Sequence, residues 1–93
     1  PEEMIEVAKK VLEKRERVVV VLAAKRNRVT LVGAVGKINI QINKILNELA
    51  KIVGGRAGGR GQIAQGGGPD INRFDEMLVK AKELLIKAVQ DAK

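Results

Sequence analysis

Two arginines, Arg56 and Arg60, stand within the run GGRAGGRGQIAQGGG, which holds eight of the chain's ten glycines. A guanidinium presents a planar fork of donors that matches phosphate oxygens and base edges. Glycine leaves backbone N–H groups uncovered and lets another surface come close. The combination reads as a flat, positive, donor-rich surface. A flexible linker would not carry Ile63 and Ala64 between the glycines, so the middle of the run is expected to be anchored.

The residues needed for most enzymatic chemistry are missing. The 93 residues include no His, Cys, Trp or Tyr, and Phe74 is the only aromatic. No His removes the commonest general base and metal ligand, and no Cys removes thiolates and disulfides. Glu2, Glu3, Glu6, Glu76 and Glu83 lie at pair spacing from basic residues and read as solvated salt-bridge faces. No Asp/Glu cluster suggests a metal, so no catalytic residue, metal or cofactor is expected. The glycine run is not a phosphate loop, which needs Gly-Lys-Ser/Thr. Nor is it a dinucleotide fingerprint, since a helix rather than a strand precedes it.

The net charge of +7 points toward a polyanion. Lys37, Lys44 and Lys51 recur every seven residues. On a helix they would form one stripe, drifting about 20° per heptad, that leads to the glycine run. A second basic cluster, Lys25, Arg26 and Arg28, sits at a turn. No apolar run approaches the roughly 20 residues of a membrane span. The acidic, amphipathic start is unlike a signal peptide, so a soluble, cytoplasmic protein is expected. The chain begins at Pro1 rather than a start Met and is expected to be a piece of a longer protein.

Around these residues the pattern predicts six elements. Ile5, Ala8 and Leu12, with Met4 and Val11, mark a first helix over residues 1–17. Its acids come first and Lys14, Arg15 and Arg17 last, which suits the helix dipole. Its narrow apolar face needs a partner. RVVVVLAA and RVTLVGAVG read as a β-hairpin whose turn places Asn27 in the left-handed region. The first strand is apolar on both faces, which calls for cover on both sides of the sheet. Ile38, Ile42, Ile45, Leu49 and Ile52 predict a helix ending at a left-handed glycine of the Gly54-Gly55 pair. A short strand over Gln62–Gln65 follows. A last helix is expected to be capped by Asp70 or Asn72, with Asp75 as a box partner. It should bury Phe74, Leu78, Ala81, Leu85 and Ala88 and pair Glu76 with Lys80 and Glu83 with Lys87. The fold class is a small single-domain α/β fold. Its helices pack on a twisted mixed sheet that contains one parallel pair. Residues 1–17 are read as a helix that ends a preceding helical part, and residues 18–93 as the globular domain.

The run from Gly54 to Gly68 resembles the signature of the C-terminal (C-Ala) domain of alanyl-tRNA synthetases, a branch of the DHH-associated domain family. The matching residues are Gly54-Gly55-Arg56, Gly58-Gly59-Arg60 and Ala64-Gln65-Gly66-Gly67, and the order of elements over residues 18–90 agrees. Ala57, Gly61 and Gln62 depart from that pattern, where another glycine, a proline and an acid are usual. The phosphodiesterase branch of the family carries a His in this motif, which this chain lacks. The resemblance implies a non-catalytic domain that binds the outer corner, or elbow, of tRNA, with alanine tRNA the expected partner, and supports aminoacylation and editing in a parent synthetase. The implied RNA contacts are Lys51, Gly54, Gly55, Arg56, Gly58, Gly59, Arg60, Gln65, Gly66, Gly67 and Gly68. Lys37, Lys44, Lys25, Arg26 and Arg28 form a secondary set. Two alternatives stay open: the same domain on a stand-alone alanyl-tRNA editing protein, and a structural module that homodimerises through its first helix.

Overall fold

The computed structural model describes residues 2–14 and 17–92, and the backbone alone of Arg60; Arg15 lies outside the described residues. The valine run forms β1 (Val19–Lys25), and its hairpin partner is β2 (Val29–Val35). The register runs from Val19 opposite Val35 to Lys25 opposite Val29. Arg26, Asn27 and Arg28 make the turn, closed by the Arg26 N–H donating to the Arg28 carbonyl at 3.1 Å. Asn27 does not take a positive φ, contrary to expectation: three residues span the gap without the left-handed step that a tighter turn demands.

The two-sided apolar pattern of β1 has the consequence anticipated for it. Val20 and Leu22 turn to one face of the sheet, with Val32, Ala34 and Ile63, and α1 (Glu2–Lys14) covers them through Met4, Ile5, Ala8 and Leu12. Val19, Val21 and Ala23 turn to the other face and join the larger core under α2 (Ile42–Ile52) and α3 (Phe74–Asp91). The apolar face of α1 is therefore met by its own sheet. Leu31, Leu46, Leu49 and Met77 are fully buried in the larger core, each contributing about 1.5–3 kcal/mol.

The glycine run forms a second hairpin rather than loops around a short strand. It comprises β3 (Arg56–Arg60) and β4 (Ile63–Gly68). β4 inserts between β2 and β3, so the strand order is β1-β2-β4-β3 and every ladder is antiparallel. The parallel pair, and with it the mixed sheet, is not formed. The crossover through α2 delivers the chain to the far edge, and the strand that pairs with β2 is the return limb of a hairpin. The small α/β character holds.

Four local expectations shift. α2 begins at Ile42, not at Ile38, so Lys37 is off the helix. Ile38 and Ile40 pack on the core from non-helical backbone, which makes their alternation the true signal there. On α3 the buried residues are Met77 and Ala81, flanked by Phe74 and Leu84, while Leu78 is 42% exposed. Apolar residues surround this helix, so spacing alone does not select its inner face. Its ion pairs are Arg73–Glu76 and Lys80–Glu83, three apart rather than four. The hydrogen bond from Arg73 holds the Glu76 carboxyl below its ordinary value and raises Arg73, but both are exposed and the pair adds little. Asp70 accepts from the Asn72 N–H at 3.2 Å and caps a 3-10 turn (Ile71–Arg73) that leads into α3. The Asn72–Asp75 box is absent, because Arg73 occupies the N-cap position.

Candidate nucleic-acid interface

α2 stops as its glycines require. Gly54 has φ +81°, its N–H donates to the Lys51 carbonyl at 3.1 Å, and the Gly55 N–H donates to the Ala50 carbonyl at 2.8 Å. This paired cap turns the chain sharply into β3. Within the hairpin, side chains alternate between faces. Ala57 and Ala64 face the core. Arg56 and Gly58 lie on the opposite face with Gln65, which is directly across from Gly58. α1 covers β1 and β2 on that side, and Arg56, Gly58 and Gln65 remain exposed. The face has a guanidinium fork, a side-chain amide and bare backbone.

Most glycines of the run are needed by the protein itself. A Cβ on Gly66 would lie 2.5 Å from the Ala57 Cα and closer still to its Cβ. Comparable backbone collisions arise at Gly55, Gly59, Gly67 and Gly68. Gly61 turns the hairpin with φ +63°. Gly58 alone within the run has both ordinary φ and nothing within 4 Å of an added Cβ. Its identity is not dictated by the fold.

The other expected contacts separate into groups. Lys51, Gly54 and Gly59 are exposed, Gly55 and Gly66 half-buried, and Gly67 and Gly68 buried. Arg60 ends β3, and its side chain lies outside the described atoms. Lys44 and Lys51 are exposed on α2, without Lys37. Lys25 turns away from the hairpin tip and sits 5.3 Å from the Phe74 ring centroid, a cation–π contact that ties β1 to α3. Arg26 and Arg28 border an open cleft of about 890 Å³ with Glu2, Glu3 and Thr30. The two carboxylates offset the arginines there, so the positive potential is less concentrated than around Arg56. Thr30 pairs with Gly67, which pairs with Arg56, so the cleft and the Arg56 face share one side of the sheet.

One relevant residue was not singled out by sequence pattern. Asn47 on α2 accepts the Ala57 N–H at 3.1 Å through Oδ1. A polar residue beside buried Leu46 was its only signal. Among the described residues no His/Cys/Asp/Glu group is arranged to hold a metal, and no helix is long and apolar enough to cross a membrane.

The DHHA1 domain family model matches residues 1–87. The chain is similar to alanine–tRNA ligases. It is 40% identical to one from Helicobacter pylori over 78 residues, covering 83% of this chain and 9% of the relative. It is 38% identical to one from Methanosarcina acetivorans over 85 residues, covering 87% and 9%. It is 33% identical to one from Methanoregula boonei over 90 residues, covering 97% and 10%. The chain thus spans about a tenth of the length of these relatives. The crystal structure of the C-Ala domain from Aquifex aeolicus alanyl-tRNA synthetase superposes with a TM-score of 0.79 at 30% identity, over 91% of this chain and 80% of that one.

Proposed function

This chain belongs to the DHHA1 domain family and is of the C-Ala kind found at the C-terminus of alanyl-tRNA synthetases, and on that premise we propose that it is a non-catalytic tRNA-binding domain. Arg56, Gly58 and Gln65, with Arg60 and Lys51, approach the outer corner of a folded tRNA. They grip it by phosphate and shape rather than by base sequence. Such a domain would hold alanine tRNA in the cytoplasm for a parent chain that aminoacylates it and edits the product, and it needs no cofactor of its own. The identity of the tRNA would be read elsewhere in that parent.

The observation that carries the reading is the exposed sheet face itself. A nearly side-chain-free surface that carries an exposed guanidinium and the Gln65 amide suits a rigid polyanion. With no aromatic on that face, stacking of splayed single-stranded bases is a poor fit. Self-association through the first helix draws little support from α1, whose Met4, Ile5, Ala8 and Leu12 pack on its own sheet and leave Val7 as its exposed large apolar side chain.

Titration of deacylated tRNA at several salt concentrations tests the proposal. Affinity should fall with salt, with a log–log slope of roughly −0.7 to −0.9 for each phosphate neutralised. Arg56→Ala should weaken binding about tenfold or more, the effect of losing one charge-assisted contact. Thermal stability should hardly change, since Arg56 is exposed. Salt-independent affinity, or an Arg56→Ala variant that binds like the parent, would overturn this assignment.

A further inference from the structure

β3 is an edge strand, and its outward side differs from its inward one. Because the Ala57 N–H donates to Asn47, the backbone of Ala57 faces away from β4. Outward and inward groups alternate in an antiparallel ladder, so Gly59 also faces outward. The edge therefore presents the Gly59 N–H and the carbonyls of Ala57 and Gly59, with no side chain at Gly58 or Gly59 to shield them. α2 packs along β3. Lys44 lies three residues before Asn47 and Lys51 four after it, so the three share one helix face, with both lysines exposed. A backbone N–H must be met by an oxygen. Asn47 therefore directs its amide nitrogen the other way, and that nitrogen has no hydrogen bond among the described residues.

We infer that the outer edge of β3 and the Lys44–Asn47–Lys51 row of α2 form a second RNA-contact surface, where Asn47 fixes the strand with its oxygen and offers its N–H2 to a phosphate. This rests on the tRNA-binding reading and extends it: the RNA meets β3 from the sheet face and from the edge. An added protein strand fits less well. A glycine strand has no side-chain pockets to select a peptide, and two lysines beside it favour phosphate. Asn47 is thus a positioning residue for β3 and a contact residue for the ligand.

Asn47→Asp separates these tasks, because a carboxylate keeps the acceptor for Ala57 but removes the donor and adds a negative charge. Hydrogen exchange at the Ala57 amide should match the parent, while deacylated tRNA binds about tenfold or more weakly. Asn47→Ala should both accelerate Ala57 exchange and weaken binding. If Asn47→Asp keeps Ala57 protected and binds tRNA like the parent, the surface assignment is wrong, and the edge is left to another partner such as a protein strand. If the carboxylate itself exposes Ala57, Lys44→Ala carries the test, since Lys51 already belongs to the proposed tRNA surface. It must weaken binding and reduce the salt slope by about one phosphate's share, and a neutral result overturns the inference. Arg56→Ala, measured in parallel, keeps the two readings apart. Loss with Arg56→Ala but not with Asn47→Asp leaves the sheet face standing and the edge refuted, and the reverse pattern refutes the face.

Discussion

Gly66→Val should cost the domain its fold, not merely its ligand. From the sequence, a branched side chain at Gly66 reads as an obstacle to an approaching RNA. In the structure the obstacle would be internal. The new Cβ would point at the Cα and Cβ of Ala57 and crowd the Arg56 carbonyl oxygen, at distances no side-chain rotation relieves. Overfilling a core with flexible side chains costs about 1–3 kcal/mol. Here the backbone of β3 must move, and β4 is held on its other side by β2 through Leu31 opposite Gly66. A loss on the order of 3 kcal/mol or more is expected, against a total stability of about 5–15 kcal/mol for a domain of this kind. The chain has no Trp, so thermal or urea unfolding followed by far-UV circular dichroism is the suitable measurement. A variant that unfolds at the parent's midpoint would show that β3 and β4 can separate without penalty.

Side-chain signals account for what was legible in the sequence. The valine run and alternating partner specify the first hairpin, and apolar residues on both faces of β1 imply the two layers of cover that α1, α2 and α3 supply. The stop of α2 follows from Gly54, which supplies the positive φ. The second hairpin was hidden for the opposite reason. Its strands are built largely of glycine, which has low strand propensity, so Arg56–Arg60 and Ile63–Gly68 resemble loops. Their strand character comes from pairing, Gly66 opposite Ala57 across its own hairpin and opposite Leu31 of the distant first one. The start of α2 is likewise tertiary, set by Ile38 and Ile40 packing against the core before the helix begins. That late start is what removes Lys37 from the basic row.

Most glycines of the motif serve the fold rather than a ligand. A dense run invites assignment of every member to the ligand. The geometry instead assigns Gly55, Gly59, Gly66, Gly67 and Gly68 to strand packing and Gly54 and Gly61 to backbone turns. On the proposed reading, the RNA-facing role narrows to Gly58 and the side chains around it, while exposed Gly59 would offer its backbone at the edge.

Gly58→Val should therefore be the mirror image of Gly66→Val, folding normally and binding tRNA poorly. Its backbone φ is ordinary and its Cβ would enter open space, so the fold offers no objection. Valine suits an extended strand better than glycine does, and stability should hold or rise slightly. On the proposed reading, however, the isopropyl group stands up between Arg56 and Gln65 and holds the RNA off the backbone. The contacts that need close approach then lengthen together. A penalty of about 1–3 kcal/mol is expected, roughly five- to 150-fold in affinity. Gly58→Ala should give a smaller loss, because a single methyl projects less. No charge changes in either variant, so electrostatic steering by the lysines and arginines is preserved. Binding titrations of parent, Gly58→Ala and Gly58→Val with the same deacylated tRNA, each checked by a thermal melt, give the readout. A graded loss of affinity at constant melting temperature places the RNA against β3. Equal affinity across the series would mean that nothing comes near Gly58, and the site would then have to be sought at the β3 edge or at Arg26 and Arg28.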